Sequence, residues 1–167
     1  MPDDNTPLAD ILIRLAGPDD MVWIARTHGA LYRRDEGFDD SFEPLVTTVL
    51  QGFMADHDPK NECGWVVEFA GEPAGSLFCT RLTTDTAKLR LFLLIPALRG
   101  RGLGHRLLNV ALTFARDAGY QTMQVSTYER HVAACQLYRR AGFTLVSSKP
   151  ARVFGLDMVE QTWEFTL

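Results

Sequence analysis

The segment Ala87–Gly104 reads AKLRLFLLIPALRGRGLG. Its first half, Ala87–Ile95, becomes apolar on both faces towards its end, the pattern of a strand in the middle of a sheet. Glycines then follow at alternate positions, Gly100, Gly102 and Gly104. Beyond the turn, Leu103, Leu107, Val110, Ala111, Phe114 and Ala118 recur every three or four residues, an amphipathic helix stopped by Gly119. A buried strand thus passes through glycine directly into the best helix of the chain. Glycine lets a backbone approach a ligand closely, and a helix start offers unpaired N–H groups with a partial positive charge. Arg99 and Arg101 add fork-shaped cationic donors. The combination reads as a cradle for phosphate or pyrophosphate. The plain alternative is a tight turn with solvated arginines, which needs fewer glycines. The dinucleotide pattern G-x-G-x-x-G fails because residue 105 is His, and no G-K-[ST] follows.

The flanking sequence supplies the rest of an α/β chain. Ile11–Leu15 reads as a first strand. Pro18-Asp19-Asp20 opens a helix reaching about Asp35, and Asp40-Ser41 opens another reaching about Asp56. Gly64–Ala70 and Ser76–Leu82 read as strands around a turn at Gly71–Gly75. Thr122–Thr127 is a strand, and Ala134, Leu137, Tyr138 and Ala141 mark a helix ended by Gly142. Phe143–Ser147 and Gln161–Leu167 read as closing strands around a Pro150–Asp157 loop. The order βααβββαβαββ predicts an α/β (α+β) fold over 1–167, one domain whose mixed sheet of six to seven strands carries four helices.

Composition excludes several classes. A length of 167 residues fits one domain, and 46 % hydrophobic with 23 % charged residues is ordinary globular usage. The net charge of −4 argues against nucleic acid as a partner. Of the 17 basic residues 14 are Arg, and those at 99, 101 and 106 form a local patch suited to a small anion. Cys63, Cys79 and Cys135 are odd in number, widely spaced and set in apolar segments, so they read as reduced thiols in a cytoplasmic protein, without metal-ligand spacing. The Met1-Pro2-Asp3-Asp4-Asn5 start is no signal peptide, and the longest apolar run, Leu91–Leu98, is too short to span a bilayer. Neither a membrane nor a metal is expected.

Two motifs in fixed order carry a family likeness. Arg99-x-x-Gly102-x-Gly104 opens a helix, a strand follows, and then comes Ala134-x-x-Leu137-Tyr138-x-x-x-Gly142-Phe143. This arrangement resembles the Gcn5-related N-acetyltransferases, the GNAT superfamily. Segments 28–32 (HGALY), 42–46 (FEPLV), 87–91 (AKLRL) and 154–164 (FGLDMVEQTWE) resemble the acetyltransferase half of proteins that fuse a MarR-type winged-helix regulator to a GNAT domain. No winged helix precedes them here, so a free-standing version is expected.

The resemblance implies a mostly antiparallel sheet and acetyl-CoA as co-substrate, its pyrophosphate held by Arg99, Gly100, Arg101, Gly102, Leu103 and Gly104. Backbone groups around Leu93 and Leu94 would pair with the pantetheine arm and polarise the carbonyl. Tyr138 would stand near the thioester sulfur as the acid, although its stripe alone fits a core tyrosine. His131 occupies a place where many members carry Asn against the cofactor; the bland reading is a partly exposed residue at a helix start. His105 would sit near the phosphates and His57 on the surface. The implied activity is acetyl transfer to a primary amine of a small molecule or amino acid, in a direct ternary complex. The alternatives are a non-catalytic acyl-CoA sensor and a protein Lys or N-terminal acetyltransferase. A homodimer through Trp163–Leu167 is compatible.

The acceptor side is less defined. Many members carry Glu on the central strand, but Lys88–Leu93 contains no acid, which leaves Asp35, Glu36 and Glu43 as candidate bases, Glu43 preferred. Arg90 lies on an apolar strand, where an unpaired cation is expensive. It therefore either pairs with Glu43 or Glu68 or faces the acceptor cleft and binds a carboxylate. Trp23, Tyr32, Phe38 and Phe42 make the first helices aromatic, and Tyr32 is the candidate to line an acceptor pocket.

Overall fold

The computed structural model describes residues 10–167, so the expectation for Met1–Asn5 lies outside the described residues. Its strands are β1 (Ile11–Leu15), β2 (Cys63–Phe69), β3 (Glu72–Arg81), β4 (Thr86–Leu94), β5 (Thr122–Tyr128), β6 (Thr144–Val153) and β7 (Leu156–Thr166). Its helices are α1 (Met21–Glu36), α2 (Phe42–Asp56), α3 (Leu103–Asp117) and α4 (Val132–Ala141). The strands form one seven-stranded sheet in the order β1-β2-β3-β4-β5-β7-β6. Neighbours are antiparallel except β4 and β5, which run parallel and are joined by α3 as a crossover. The order and class match the expectation from sequence.

Period-two alternation splits the core between the two faces of the sheet. Trp65, Val67, Leu77 and Leu89 pack with Leu107, Leu108 and Ala111 of α3, while Val66 and Phe78 pack with Ile24 of α1 and Leu50 of α2. No helix of the described residues is long and apolar enough to cross a membrane.

One irregularity creates the site. Phe78 of β3 faces Arg90 of β4, but Ser76 faces Leu93, so Leu77 opposes two residues, Leu91 and Phe92. This is a β-bulge, and Leu91 sits at φ 53°, a left-handed value rare for leucine. The fully buried Ser76 donates its hydroxyl to the Leu91 carbonyl at 2.7 Å and ties the bulge down. Pairing of β4 with β5 stops at Leu89 and Val125, although the strands run on to Leu94 and Tyr128. Their C-terminal ends part and leave a slot. Ser76→Ala should lower stability to urea by about 1 kcal/mol, since the part-buried Leu91 carbonyl loses its side-chain donor. An unchanged unfolding midpoint would contradict this account of the bulge.

Two hairpins differ from the sequence reading. The turn expected at Gly71–Gly75 contracts to Ala70-Gly71, at φ 51° and 83°. The loop expected at Pro150–Asp157 is a continuous hairpin with β6 and β7 paired as far as Val153 and Leu156. Phe154 and Gly155 alone make its turn, at φ 51° and 78°. Both are two-residue turns with left-handed central residues, which match strand twist. Pro73 and Pro150 suggested loops, yet each sits within a paired strand, Pro150 on the exposed edge strand where a missing N–H costs little.

Candidate active site

A cavity of about 970 Å³ occupies the slot between the parted ends of β4 and β5. Its mouth is the glycine turn. Gly100 and Gly102 have φ 73° and 76°, and the bond from Arg106 N–H to the Gly102 carbonyl (3.1 Å) leaves the amides of Leu103, Gly104 and His105 in the unpaired first turn of α3. Gly104 faces the cavity; a Cβ there would meet Leu137 Cδ2 at 3.6 Å and Leu94 Cδ1 at 3.8 Å. The Leu103 side chain is buried in the core, and neither it nor Arg101 borders the cavity. Arg99 does border it, but as a strut. Its Nε donates to the Leu94 carbonyl at 3.0 Å and its Nη1 to Asp35 Oδ2 at 3.2 Å.

The register sets which backbone groups around Leu93 and Leu94 face the slot. Ile95 N–H donates to the Ala74 carbonyl at 2.9 Å, so alternation turns the Leu93 backbone towards β3 and the Leu94 carbonyl outwards. A Cβ on Gly75 would lie 2.7 Å from the Leu93 carbonyl oxygen, which confirms that orientation. Phe92 and Leu94 border the cavity; Leu93 does not.

Tyr138 borders the cavity beside Tyr32, on the face of α4 that carries Ala134 and Leu137. Gly142, at φ 100°, stops this helix one turn later. The residue is only 4 % exposed, and burial, reinforced by Tyr32 and then Cys135, pushes its phenol well above the usual value. Its hydroxyl makes no hydrogen bond among the described residues, so the proton stays on oxygen and is not engaged elsewhere.

Beyond Tyr138 the cavity ends among rings. Tyr32 lies 4.8 Å from Phe42, 5.6 Å from His131 and 6.0 Å from His28 by ring centroid, the last pair parallel within 6°. Phe154, from the β6–β7 turn, stacks on Phe38 at 4.7 Å, and its carbonyl accepts Asp39 N–H at 3.1 Å. The hairpin tip therefore closes this end. Burial pushes the Tyr32 phenol up to about 12.

The candidate bases are placed elsewhere or already engaged. Glu43 is exposed, packs against Gly29 and lines a separate shallow groove with Arg33; its position does not meet the expectation of a base in the cleft. Asp35 is held below the usual carboxylate range by Arg34 and, against opposing burial, by Arg99. Glu36 Oε2 lies 3.3 Å from both Arg130 Nε and His131 Nε2. The His131 contact is one of distance without hydrogen-bond alignment, and burial, opposed by the Glu36 charge, lowers its pKa. No Asp or Glu among the described residues borders the cavity, whereas Arg90, Arg99 and Arg140 do.

Arg90 pairs with neither proposed acid. Glu68 is bound by Arg14 Nε at 2.5 Å and Glu43 faces the other groove. Arg90 is exposed at the cavity rim, because β4 has already left β5 at that point, so the burial cost that argued for a partner does not arise. The cysteines are unbridged thiols; burial pushes Cys63 up to about 11 and Cys79 up to about 12. Among the described residues no group of His, Cys, Asp and Glu could hold a metal ion.

His28 was not singled out as a site residue from sequence. It is 2 % exposed, borders the cavity and bonds through Nδ1 to the Ile24 carbonyl at 2.8 Å. A carbonyl accepts, so Nδ1 carries the proton and Nε2 the lone pair. Burial lowers its pKa to about 4 from 6.5. An unfolded chain takes up this proton between pH 6.5 and 4 and the folded chain does not, so stability is full above pH 6.5 and falls as pH drops through that window. At pH 5 the loss is about 2 kcal/mol relative to pH 7. Urea unfolding of His28→Gln should lose that much less than wild type over the same interval, and parallel losses would contradict a neutral buried His28.

A slot with unpaired amides at its mouth and a protonated phenol at its inner end suits a long ligand, anionic at one end and reactive at the other. The chain belongs to the acetyltransferase (GNAT) family, whose model matches residues 23–143. It is 34 % identical over 82 residues to the uncharacterized N-acetyltransferase YjgM of Escherichia coli K12, covering 47 % of this chain and about half, 49 %, of that relative. It is 25 % identical over 124 residues to a streptothricin acetyltransferase of Escherichia coli, covering 74 % of this chain and 71 % of the relative. Among solved structures, yncA of Salmonella typhimurium, determined with its cofactor acetyl-CoA, superposes with TM-score 0.75 at 19 % identity, covering 95 % and 94 % of the two chains. An N-acetyltransferase of Staphylococcus aureus Mu50 superposes with TM-score 0.76 at 16 % identity, covering 93 % and 98 %. At such identities the structural likeness shows the shared fold.

Proposed function

We propose that this chain transfers the acetyl group of acetyl-CoA to the primary amine of a small molecule or amino acid, in a direct ternary complex. The observation that carries this reading is the slot itself, with the amides of α3 at one end and Tyr138 at the other. The residues fit the co-substrate: the α3 amides and Gly104 give room and charge for a pyrophosphate, and Phe92, Leu94 and Leu137 give an apolar wall for the pantetheine arm. Bound acetyl-CoA supplies an acetyl group activated as a thioester. Tyr138 holds a proton for the departing sulfur. Thiols pushed up by burial are poor nucleophiles, which supports direct transfer over an acetyl-enzyme.

The closed aromatic end favours a small acceptor over a protein surface. Arg90 at the rim supports an acceptor that carries a carboxylate. Arg90→Ala should raise KM for L-amino acids by about tenfold, the size of one exposed charged contact, and leave alkylamines unchanged. Equal effects on both would sink that role.

Free-thiol release from acetyl-CoA tests the activity with a panel of primary amines and amino acids. Stimulation by at least one of them is expected. A chain that binds acetyl-CoA but transfers it to none would instead be an acyl-CoA-binding sensor, a reading favoured by the absence of a carboxylate from the cavity lining among the described residues.

A further inference from the structure

We infer that His28 is the acceptor-contacting residue of this site: its Nε2 accepts the N–H of an incoming primary amine with an apolar or aromatic body, and the nitrogen's surplus proton leaves along that bond. The inference rests on the acetyl-transfer reading and adds the group which that reading lacks, since Glu43, Asp35 and Glu36 are all engaged or absent from the cleft.

The tautomer is decided by the fold. Nδ1–H points back along α1 to the Ile24 carbonyl at 2.8 Å, which leaves the outer nitrogen of the ring as a bare acceptor. That Nε2 is buried and has no hydrogen-bond partner. Native interiors rarely leave a polar atom so, because each such atom costs about 1–3 kcal/mol. Leu or Phe would pack against Tyr32 and Phe42 without that cost, so a purely structural role leaves the imidazole unexplained. A ligand N–H supplies what is missing. The surroundings specify the rest of the ligand: Tyr32 and Phe42 lie 6.0 and 6.4 Å from the His28 ring by centroid, and Leu45 and Leu91 border the same cavity. Seating an amine there parts the Tyr32 and Phe42 rings, now 4.8 Å apart.

In the step, the amine lone pair forms the bond to the acetyl carbon and the carbon–sulfur bond breaks with its electrons on sulfur. Sulfur takes the Tyr138 proton, and the nitrogen loses one to His28. Burial keeps His28 neutral at physiological pH, which leaves the Nε2 lone pair free for the amine N–H but makes the ring a weaker base. A phenolate forming on Tyr138 at the same moment favours the imidazolium across the pocket. Both groups return to neutrality by exchange with water, with no net proton consumed.

The experiment uses 2-phenylethylamine, butylamine and L-phenylalanine as probes with wild type, His28→Phe and His28→Gln. Amine-dependent thiol release should fall on the order of 10²-fold in His28→Phe, recover in part in His28→Gln, whose side-chain oxygen accepts, and acetyl-CoA affinity should stay within about twofold. In wild type saturated with CoA, the ¹⁵N resonance of His28 Nε2 should shift on adding at least one probe. A His28→Phe rate close to wild type, or an Nε2 resonance unmoved by all three amines, would overturn the assignment. If the variants do not fold, or wild type binds acetyl-CoA without transferring it, the ¹⁵N shift alone decides the role of His28. The thiol assay then decides the parent reading separately.

Discussion

Tyr138→Phe should lower kcat by about 10²–10³-fold and leave acetyl-CoA affinity near the wild-type value, the mark of an interaction made only in the transition state. The phenyl ring fills the same space against Phe143, 5.5 Å away by centroid, so packing is preserved. The hydroxyl removed has no partner among the described residues, so no buried group is orphaned by its loss and stability should change little. Burial raises the phenol above its ordinary value, which extends the protonated, donating form to higher pH rather than curtailing it. Wild-type kcat should accordingly show no fall attributable to Tyr138 between pH 8 and about 10. A midpoint near the ordinary phenol value, abolished by Tyr138→Phe, would contradict the buried proton. A Phe variant as fast as wild type would contradict the acid role.

Gly104→Glu should separate fold from function in opposite directions. Gly104 lies in the first turn of α3, and a Cβ there meets its neighbours at ordinary contact distances of 3.6–3.9 Å. Replacing glycine in a helix gains about 0.5–1 kcal/mol, and an acid in the first turn adds about 0.3–1 kcal/mol. The melting temperature should therefore hold or rise. The same carboxylate projects into the mouth where phosphates would seat. Like charges some 4–6 Å apart at a partly exposed site repel by about 2–4 kcal/mol, so acetyl-CoA affinity should fall on the order of 10²-fold or more. Differential scanning calorimetry and titration calorimetry on one sample read both effects. A stable variant with undiminished affinity would remove α3 from the cofactor site.

The legibility of this molecule followed the range of its interactions. The passage from Ala87–Ile95 through alternate glycines into α3 was readable because strand period, turn chemistry and helix period are local properties. The helix carrying Ala134, Leu137 and Tyr138 was readable because its stripe and the Gly142 stop are local, whereas the acid role expected of Tyr138 came from the family resemblance. Which backbone groups around Leu93 and Leu94 face the slot was not legible, since register across the bulge at Leu91 is a property of two strands. The hairpins at Ala70-Gly71 and Phe154-Gly155 were hidden because prolines nearby imitate loops and neither turn carries the Asn-Gly signal. Arg90 looked buried from its apolar neighbours, and only the parting of β4 from β5 shows it at a rim. His28 carried one usable signal, its four-residue spacing from Tyr32 ahead of Phe38 and Phe42. What gives it weight is the orphaned Nε2, which no sequence displays.

Calorimetric titration of the purified chain with acetyl-CoA, beside CoA and NADH, bears most directly on the slot between β4 and β5 as an acyl-CoA site. Saturable one-to-one binding of acetyl-CoA and CoA, with none of NADH, is the predicted result. Heat from NADH alone, or from none of the three, would mean that the glycine turn before α3 is only a turn, and the transfer chemistry assigned to Tyr138 and His28 would fall with it.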